Sequence, residues 1–88
     1  MGKEKNLIYN KDGISIKGYS TNQEHALCYG IKSKNPFYLQ ELSVEENQRN
    51  KGNGKQALKI IDEYVKENGH DVVFGYVNQK NIYLRISI

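Results

Sequence analysis

The sequence has little cysteine, little proline and no long apolar run, and each shortage excludes a class of protein. Cys28 is the single cysteine, so no internal disulfide can form. No apolar stretch approaches the roughly 20 residues that a membrane-spanning helix needs. The N-terminal segment lacks the apolar run of a signal peptide, and Asn6 stands where a myristoylation site has Ser or Thr. We therefore expect a cytoplasmic protein that has no membrane partner.

The lone cysteine is either a nucleophilic thiol or a small apolar core residue. It stands within the β-prone run Ala26-Leu27-Cys28-Tyr29-Gly30. Because free cysteines are among the most frequently buried residues, a buried position in a strand is the prediction for Cys28.

The single proline, Pro36, stands in a turn-like segment that comprises residues 33–36. No Pro-rich or Gly-rich linker, internal repeat or low-complexity block divides the chain. Residues 1–88 are therefore predicted to form one domain.

Charge is only mildly unbalanced, with a formal net charge of +3. Of the 13 cations, 2 are Arg and 11 are Lys, and they are spread along the chain. A DNA-binding domain more often clusters Arg on a helix-turn-helix or a similar motif, and neither is visible. The balance fits polyanionic partners, from nucleic acid to a coenzyme with several phosphates. Direct nucleic-acid binding and a metal site are not expected.

The N-terminal half is predicted to form strands. Residues 7–9 are a short β-prone run, and the turn Lys11-Asp12-Gly13 follows it. Residues 14–19 alternate apolar and polar side chains, which is the periodicity of a strand.

Residues 25–32 and 37–44 are predicted as two further strands, joined as an antiparallel hairpin by the turn Asn35-Pro36. Strict alternation along the second of them divides its side chains between two faces. One face carries Phe37, Leu39 and Glu41, and the other carries Tyr38, Gln40, Leu42 and Val44.

Residues 54–68 have the 3.6-residue periodicity of an amphipathic helix. Asp62 and Lys66 stand at i and i+4 on its exposed side. Asn68-Gly69 is a helix stop signal. The apolar stripe consists of Ala57, Ile61, Tyr64 and Val65, with Leu58 alongside.

Residues 71–77 follow as a buried strand, so the order strand, loop, helix, strand predicts a βαβ unit with two parallel strands. The tail 81–88 alternates apolar residues, which favours one more strand. His70 follows the helix stop and is predicted to lie at the surface. His25 opens a predicted strand and has no evident partner.

The most informative segment enters the helix through two glycines: Arg49-Asn50-Lys51-Gly52-Asn53-Gly54. N–H groups at a helix N-terminus have no intrahelical partner, and the helix dipole favours an anion there. Gly52 and Gly54 lack the Cβ atoms that would keep a phosphate from the backbone, while Arg49, Lys51 and Lys55 add positive charge nearby. A pyrophosphate site is the prediction, and a flexible turn that caps the helix is the alternative.

Two common phosphate motifs do not fit this loop. A P-loop needs Gly-x-x-x-x-Gly-Lys-Ser/Thr, which is absent. A dinucleotide fingerprint, Gly-x-Gly-x-x-Gly, needs a third glycine after Gly54, and this chain has Ala57 there.

The loop resembles motif A of the GNAT superfamily of N-acetyltransferases, Gln/Arg-x-x-Gly-x-Gly/Ala, with Arg49, Gly52 and Gly54 at the defined positions. The likeness extends over residues 39–81, from the strand that enters the loop to the polar residues Asn78 and Asn81 after the next strand.

This resemblance implies an α+β, minimal acyl-CoA N-acyltransferase (GNAT-like) fold. Its sheet would be mostly antiparallel, with four to six strands and a splayed parallel pair around one main helix, residues 54–68. In the family the pantetheine arm of acetyl-CoA lies between the splayed strands. The cofactor-binding residues that it implies are Leu42, Ser43, Val44, Arg49, Asn50, Lys51, Gly52, Asn53, Gly54, Lys55 and Asn81.

The implied activity is transfer of the acetyl group from acetyl-CoA, as cosubstrate, to a primary amine. The acceptor stays open, with a protein amine as one candidate. Glu41 stands where many members carry a carboxylate that acts as general base, and its alternative role is that of a solvent-facing Glu at a sheet edge.

The sequence departs from the family pattern after residue 81. Tyr83 comes too early to match the Tyr that protonates the leaving thiolate in the family. A non-catalytic coenzyme-binding or protein-interaction module on a reduced core is therefore the alternative to an enzyme. A homodimer, paired through an exposed sheet edge, is the expected oligomer if there is one.

Overall fold

A computed structural model of the chain describes residues 6–45 and 53–86. Its elements are the strands β1 Asn6–Lys11, β2 Ile14–Ser20, β3 Pro36–Val44, β4 Val72–Val77 and β5 Lys80–Arg85, and the helices α1 Gln23–Leu27 and α2 Asn53–Glu67.

The strands form one sheet in the order β1-β2-β3-β4-β5. The neighbours β3 and β4 are parallel, and the other three pairs are antiparallel. This confirms an α+β fold with a mostly antiparallel sheet and one parallel pair around a main helix. None of the helices in the described ranges is long and apolar enough to cross a membrane.

Two tight hairpins close the ends of the sheet. Asp12 and Gly13 join β1 to β2 with φ values of 55° and 77°, and Asn78 and Gln79 join β4 to β5 with 53° and 63°. Positive φ at both loop residues is the type I′ pattern, whose twist matches that of the flanking strands. The turn at residues 11–13 and the strand in the C-terminal tail are thus confirmed.

Helix α2 covers one face of the sheet, which we call the α2 face. Its residues Ala57, Ile61 and Val65 are buried against Phe37 and Leu39 of β3, as the periodicity predicts. Leu58 is exposed and does not extend the stripe. On the outer side, the Nζ atom of Lys66 lies 3.0 Å from a carboxylate oxygen of Asp62, which confirms the i, i+4 pair.

The end of α2 is the turn that Asn68-Gly69 predicts. Gly69 has a φ of 73°, a left-handed conformation that glycine adopts without steric cost. The N–H groups of Gly69 and His70 donate to the carbonyls of Lys66 and Val65 at 3.2 and 2.8 Å. These two bonds form the Schellman arrangement, and they turn the chain into β4.

The opposite face, which we call the α1 face, is covered by α1 and the segment after it. The prediction of a strand at residues 25–32, and of its hairpin with β3, is wrong. Asn22 caps α1, because its side chain accepts a hydrogen bond from the backbone N–H of His25 at 2.8 Å. Cys28 ends this helix and is exposed, so the buried strand position predicted for it is also wrong.

A β-bulge in β3 reverses its predicted faces beyond Leu39. In the register with β2, Glu41 opposes Lys17 and Leu39 opposes Gly18, so Gln40 is the extra residue. Leu42 and Val44 consequently pack with Leu39 against the α2 core. Glu41 lies on the α1 face, and its predicted grouping with Phe37 and Leu39 is wrong.

Candidate functional site

The parallel pairing of β3 and β4 stops before either strand ends. Its last pair is Leu39 and Gly75, whereas β3 continues to Val44 and β4 to Val77. Gly75 brings the two strands unusually close, because a Cβ there would collide with the carbonyl oxygen of Leu39. Beyond this point no backbone pairing joins the two strands, and we call the space between their ends the β3–β4 gap.

The backbone of β3 points into this gap at alternate residues. The N–H of Glu45 donates to the carbonyl of Gly13 at 2.8 Å, which places Glu45, and by alternation Ser43, toward β2. Leu42 therefore faces β4. Its carbonyl oxygen accepts a hydrogen bond from the side-chain amide of Asn78 at 2.9 Å, so one amide donor already bridges the gap.

Apart from Asn81, the predicted site residues fall into three groups. Glu41, Leu42, Ser43 and Val44 form the end of β3, with Glu41 exposed on the α1 face. Asn53 and Gly54 begin α2, and Lys55 is exposed in its first turn. The remaining predicted phosphate-loop residues, Arg49, Asn50, Lys51 and Gly52, lie outside the described residues.

The βαβ topology places the end of β3 and the start of α2 at the same end of the sheet. A crossover helix runs antiparallel to the strands that it connects, so α2 begins at the edge where β3 ends. Asn81 is exposed on β5, opposite Tyr76 and close to the β4–β5 turn at the same edge. Asn81 shares the α1 face with Tyr76, because Val77 packs in the α2 core.

His70 was predicted to lie at the surface, and this is wrong, because only 1% of it is exposed. Its Nδ1 atom lies 3.0 Å from the carbonyl oxygen of Asn35, and its Nε2 atom lies 3.1 Å from the hydroxyl of Ser20. A carbonyl only accepts, so Nδ1 carries the proton and a neutral ring accepts from Ser20 at Nε2. The burial leaves no approach for a substrate, and we assign the pair a structural role.

His25 lies in an aromatic cluster rather than in a strand. Its Nδ1 atom is 2.8 Å from the hydroxyl of Thr21, and its ring centroid is 4.6 Å from that of Tyr38 and 5.2 Å from that of Phe74. The sequence does carry a signal for α1, namely a helix-capping Asn22 followed by Gln23 and Glu24. This signal would have placed His25 in a helix.

The hydroxyls of Tyr38 and Tyr29 in this cluster lie 3.4 Å apart. This hydrogen bond, followed by burial, raises the pKa of Tyr38 to about 12. The aromatic cluster is therefore held together by polar as well as apolar contacts.

Asp71 immediately precedes β4 and accepts three hydrogen bonds from the segment before β3. Its donors are the Ser33 hydroxyl and the N–H groups of Lys34 and Asn35, the latter two at 3.1 and 3.2 Å. Burial alone would raise the pKa of Asp71, but these bonds together lower it below its ordinary value.

Within residues 6–45 and 53–86, no group of three or more His, Cys, Asp and Glu side chains is arranged to hold a metal ion. Comparison with family models, with curated proteins and with solved structures finds no match to this chain.

Proposed function

We propose that this protein binds acetyl-CoA where β3 ends and α2 begins, and that it transfers the acetyl group to a primary amine. The observation that carries the proposal is the β3–β4 gap, which opens directly beyond Leu39 and Gly75. In that gap the Leu42 carbonyl accepts a hydrogen bond from a side-chain amide. The amide N–H groups of a pantetheine arm offer the same kind of donor, so the arm would replace Asn78 there.

The N-terminus of α2 supports the same assignment. The helix begins at Asn53, and its first turn contains no Asp or Glu. Acidic residues are the usual neutralising partners of the positive end of a helix dipole. Here the described part of that turn adds the exposed Lys55 instead. This end of α2 therefore favours an anion such as the coenzyme pyrophosphate, with the loop from Arg49 to Gly54 supplying further donors.

Transfer requires a neutral amine, which attacks the thioester carbonyl carbon. The C–S bond then breaks, the acetyl group stays on nitrogen, and the CoA thiolate takes a proton from solvent. Glu41 is the proposed base that removes the proton from the amine. General base catalysis contributes typically about 10²–10⁴ in rate.

A titration with acetyl-CoA tests the coenzyme claim before any acceptor is known. A ligand that binds only the native state stabilises it by about 2.7 kcal/mol at a concentration one hundred times its Kd. We expect a rise in Tm and a matching calorimetric isotherm with acetyl-CoA and CoA, and none with ATP at equal concentration. The absence of a shift at millimolar coenzyme would contradict the proposal.

Two variants of the loop separate backbone recognition from charge. Gly54→Val should abolish coenzyme binding, because a branched side chain would occupy the space of the pyrophosphate and restrict the backbone. Arg49→Ala should weaken coenzyme binding less, since this substitution removes one charge and leaves the backbone N–H donors in place. Equal binding by the two variants would show that the backbone does not hold the phosphates.

Glu41→Gln tests the base. The variant keeps its size but cannot accept a proton near neutral pH, so kcat should fall strongly while coenzyme affinity stays nearly unchanged. Glu45→Gln, at the exposed end of β3, is the matched control and should retain the wild-type rate. Equal kcat for Glu41→Gln and wild type would place the base elsewhere.

A second candidate is a coenzyme-binding or protein-interaction module without catalysis. The observation that favours it is the position of Tyr83, which lies on strand β5 and whose hydroxyl accepts a hydrogen bond from Arg85 at 3.1 Å. In the family that the sequence resembles, the Tyr that protonates the leaving thiolate stands on a helix after the second splayed strand, whereas Tyr83 stands on a strand. Tight coenzyme binding without transfer to a panel of amines would favour this candidate.

A further inference from the structure

A groove runs along the α1 face, between strand β5 and the segment that follows α1. It consists of two adjoining hollows of about 590 and 730 Å³, which share Lys32 and Arg85 as lining residues. Leu27, Tyr29 and Tyr83 line it with exposed apolar surface. Two open hollows that share lining residues suit an extended chain better than a compact small molecule.

Arg85 is fixed in place at the junction of the two hollows. Its Nη2 atom donates to the carbonyl of Lys32 at 3.1 Å, and its Nε atom donates to the Tyr83 hydroxyl at 3.1 Å. The guanidinium carbon lies 5.8 Å from the centroid of the Tyr83 ring. Nη1 has no partner among the described residues, so an oriented cation presents free donors for an anion.

The charge around Arg85 is positive. Lys32 and Lys34 are exposed beside it, and Asp71 is the acidic residue among those that line the groove. Asp71 is already engaged, because it accepts hydrogen bonds from Ser33, Lys34 and Asn35. The groove therefore has a surplus of positive charge next to apolar walls.

We propose that this groove binds an extended acidic peptide segment of a partner protein. A carboxylate would contact Arg85 and Lys32, and apolar side chains would pack on Leu27, Tyr29 and Tyr83. This proposal is independent of acetyl transfer.

Carboxylates fit the groove better than the phosphates of a nucleic acid. Successive backbone N–H groups are a common phosphate cradle, but here those of Lys34 and Asn35 already donate to Asp71. Base stacking would need a free aromatic face, and one side of the Tyr83 ring is occupied by Arg85.

The test uses fluorescence anisotropy at low salt with three labelled probes. These are an eight-residue peptide that alternates Leu and Glu, the same peptide with Gln in place of Glu, and an eight-nucleotide oligothymidine. We expect the Glu peptide to bind at least about tenfold more tightly than the other two, because charge-assisted hydrogen bonds dominate. Amide chemical shifts of Lys32, Tyr83 and Arg85 should move on its addition.

Matched variants then locate the contact. Arg85→Gln should weaken the Glu peptide about tenfold, and Lys34→Gln should weaken it less. Lys34→Gln keeps the backbone N–H that Asp71 needs, so it tests the charge even if Arg85→Gln fails to fold. Lys59→Gln removes the same charge from the exposed side of α2 and should leave the affinity within about twofold.

Three results would each overturn the proposal: no binding of the Glu peptide below millimolar concentration, equal binding of the Gln peptide, or tighter binding of oligothymidine. An equal loss of affinity in Lys59→Gln and Lys34→Gln would also overturn it, because the attraction would then come from net charge and not from the groove.

Discussion

The two faces of the sheet are closed by different combinations of interactions. On the α2 face, a 15-residue helix packs aliphatic side chains such as Ile61 and Val65 onto Leu39. On the α1 face, a five-residue helix and a loop cover a smaller apolar cluster that consists of Ala26, Ile31, Val72 and Phe74. They are also held by specific polar contacts, including the Thr21–His25 bond and the three bonds to Asp71. Stability should therefore depend mainly on burial at the first face, and on both burial and hydrogen bonds at the second.

The largest effect should come from the α2 face. Phe37 is fully buried there, and its ring contacts Tyr64 at a centroid distance of 5.5 Å. Phe37→Ala should lower the free energy of unfolding by about 3–5 kcal/mol, because it removes apolar contact and leaves a cavity. For a domain of this size, that is a large part of the total stability. Urea unfolding, followed by circular dichroism, measures the loss.

The counterpart on the α1 face is Tyr29→Ala. Tyr29 is 42% exposed, and its ring contacts His25 and Phe74. The expected loss is about 1–1.5 kcal/mol, the scale of aromatic pair contacts. Equal losses for Phe37→Ala and Tyr29→Ala would abolish the contrast between the faces.

The second effect is expected at Asp71, whose carboxylate accepts hydrogen bonds from the loop before β3. Asp71→Asn should lower the free energy of unfolding by about 2 kcal/mol at pH 7, because it weakens hydrogen bonds to a charged group. The pKa of Asp71 is lowered in the fold from its ordinary value of 3.8. Its contribution is therefore complete well above pH 3.8 and is lost as pH falls through the folded-state pKa.

Urea titrations of wild type and Asp71→Asn between pH 7 and pH 3 check this sign. The gap between the two proteins should narrow as the pH falls below about 4. Asp62→Asn is the control, because Asp62 forms an exposed i, i+4 pair with Lys66. It should change stability by less than about 0.5 kcal/mol. A gap that widened toward acid pH would show that the protonated form of Asp71 stabilises the fold more than the ionised form, which contradicts a lowered pKa.

The contrast between the faces also explains what the sequence could predict. Helix α2 and its end at Asn68-Gly69 follow from apolar periodicity and a stop signal, both of which are local. The strand predicted at residues 25–32 is wrong because the side chain of Asn22 caps a helix that begins at Gln23, a signal that lies outside the apolar run from Ala26 to Tyr29. His70 was misplaced because its partners, Ser20 and Asn35, lie 50 and 35 residues away in the chain.

The candidate site shows the same limit. The βαβ order predicted the parallel pair, whereas the bulge at Gln40, which turns Glu41 to the α1 face, depends on the register with β2. A prediction that assumes strict alternation of side chains between the two faces cannot identify the extra residue of a β-bulge. The Asn78 bond to Leu42 likewise depends on how two strands separate in space, and the sequence carries no local signal for it.

A smaller change in the free energy of unfolding is expected at the β3–β4 gap, between the ends of the two parallel strands. Asn78→Gly removes the side-chain bond to the Leu42 carbonyl and tolerates the positive φ of this turn position. The free energy of unfolding should fall by about 1 kcal/mol. If the coenzyme proposal holds, acetyl-CoA binding should persist, because the pantetheine amide can take over the same acceptor.

Gln79→Gly is the matched control for this variant. Gln79 shares the turn and has a φ of 63°, and no hydrogen bond of its side chain joins the described strands. Its replacement should be neutral or slightly stabilising, since glycine relieves the left-handed conformation. A loss as large as that of Asn78→Gly would assign the effect to the turn and not to the gap.

The smallest expected effect is a change in the pKa of one tyrosine. It compares Tyr64 on the α2 face with Tyr38 on the α1 face, and the pKa of both is raised. Burial raises the pKa of Tyr64 on the α2 face. The hydrogen bond with Tyr29 is the main cause that raises the pKa of Tyr38 to about 12 on the α1 face. Tyr29→Phe should therefore lower the pKa of Tyr38 toward 10 and leave that of Tyr64 unchanged. A titration followed by the ¹³Cζ resonances of labelled tyrosine resolves the two residues.

The stability of the same variant should change with pH in a defined direction. A raised folded-state pKa contributes stability that is complete below the unfolded value near 10 and is lost as pH rises through about 12. Because Tyr29→Phe brings the folded value closer to the unfolded one, the loss of stability above pH 10 should be smaller than in wild type. An unchanged Tyr38 titration would show that burial governs both tyrosines, and the two faces would then be closed by the same kind of interaction at these positions.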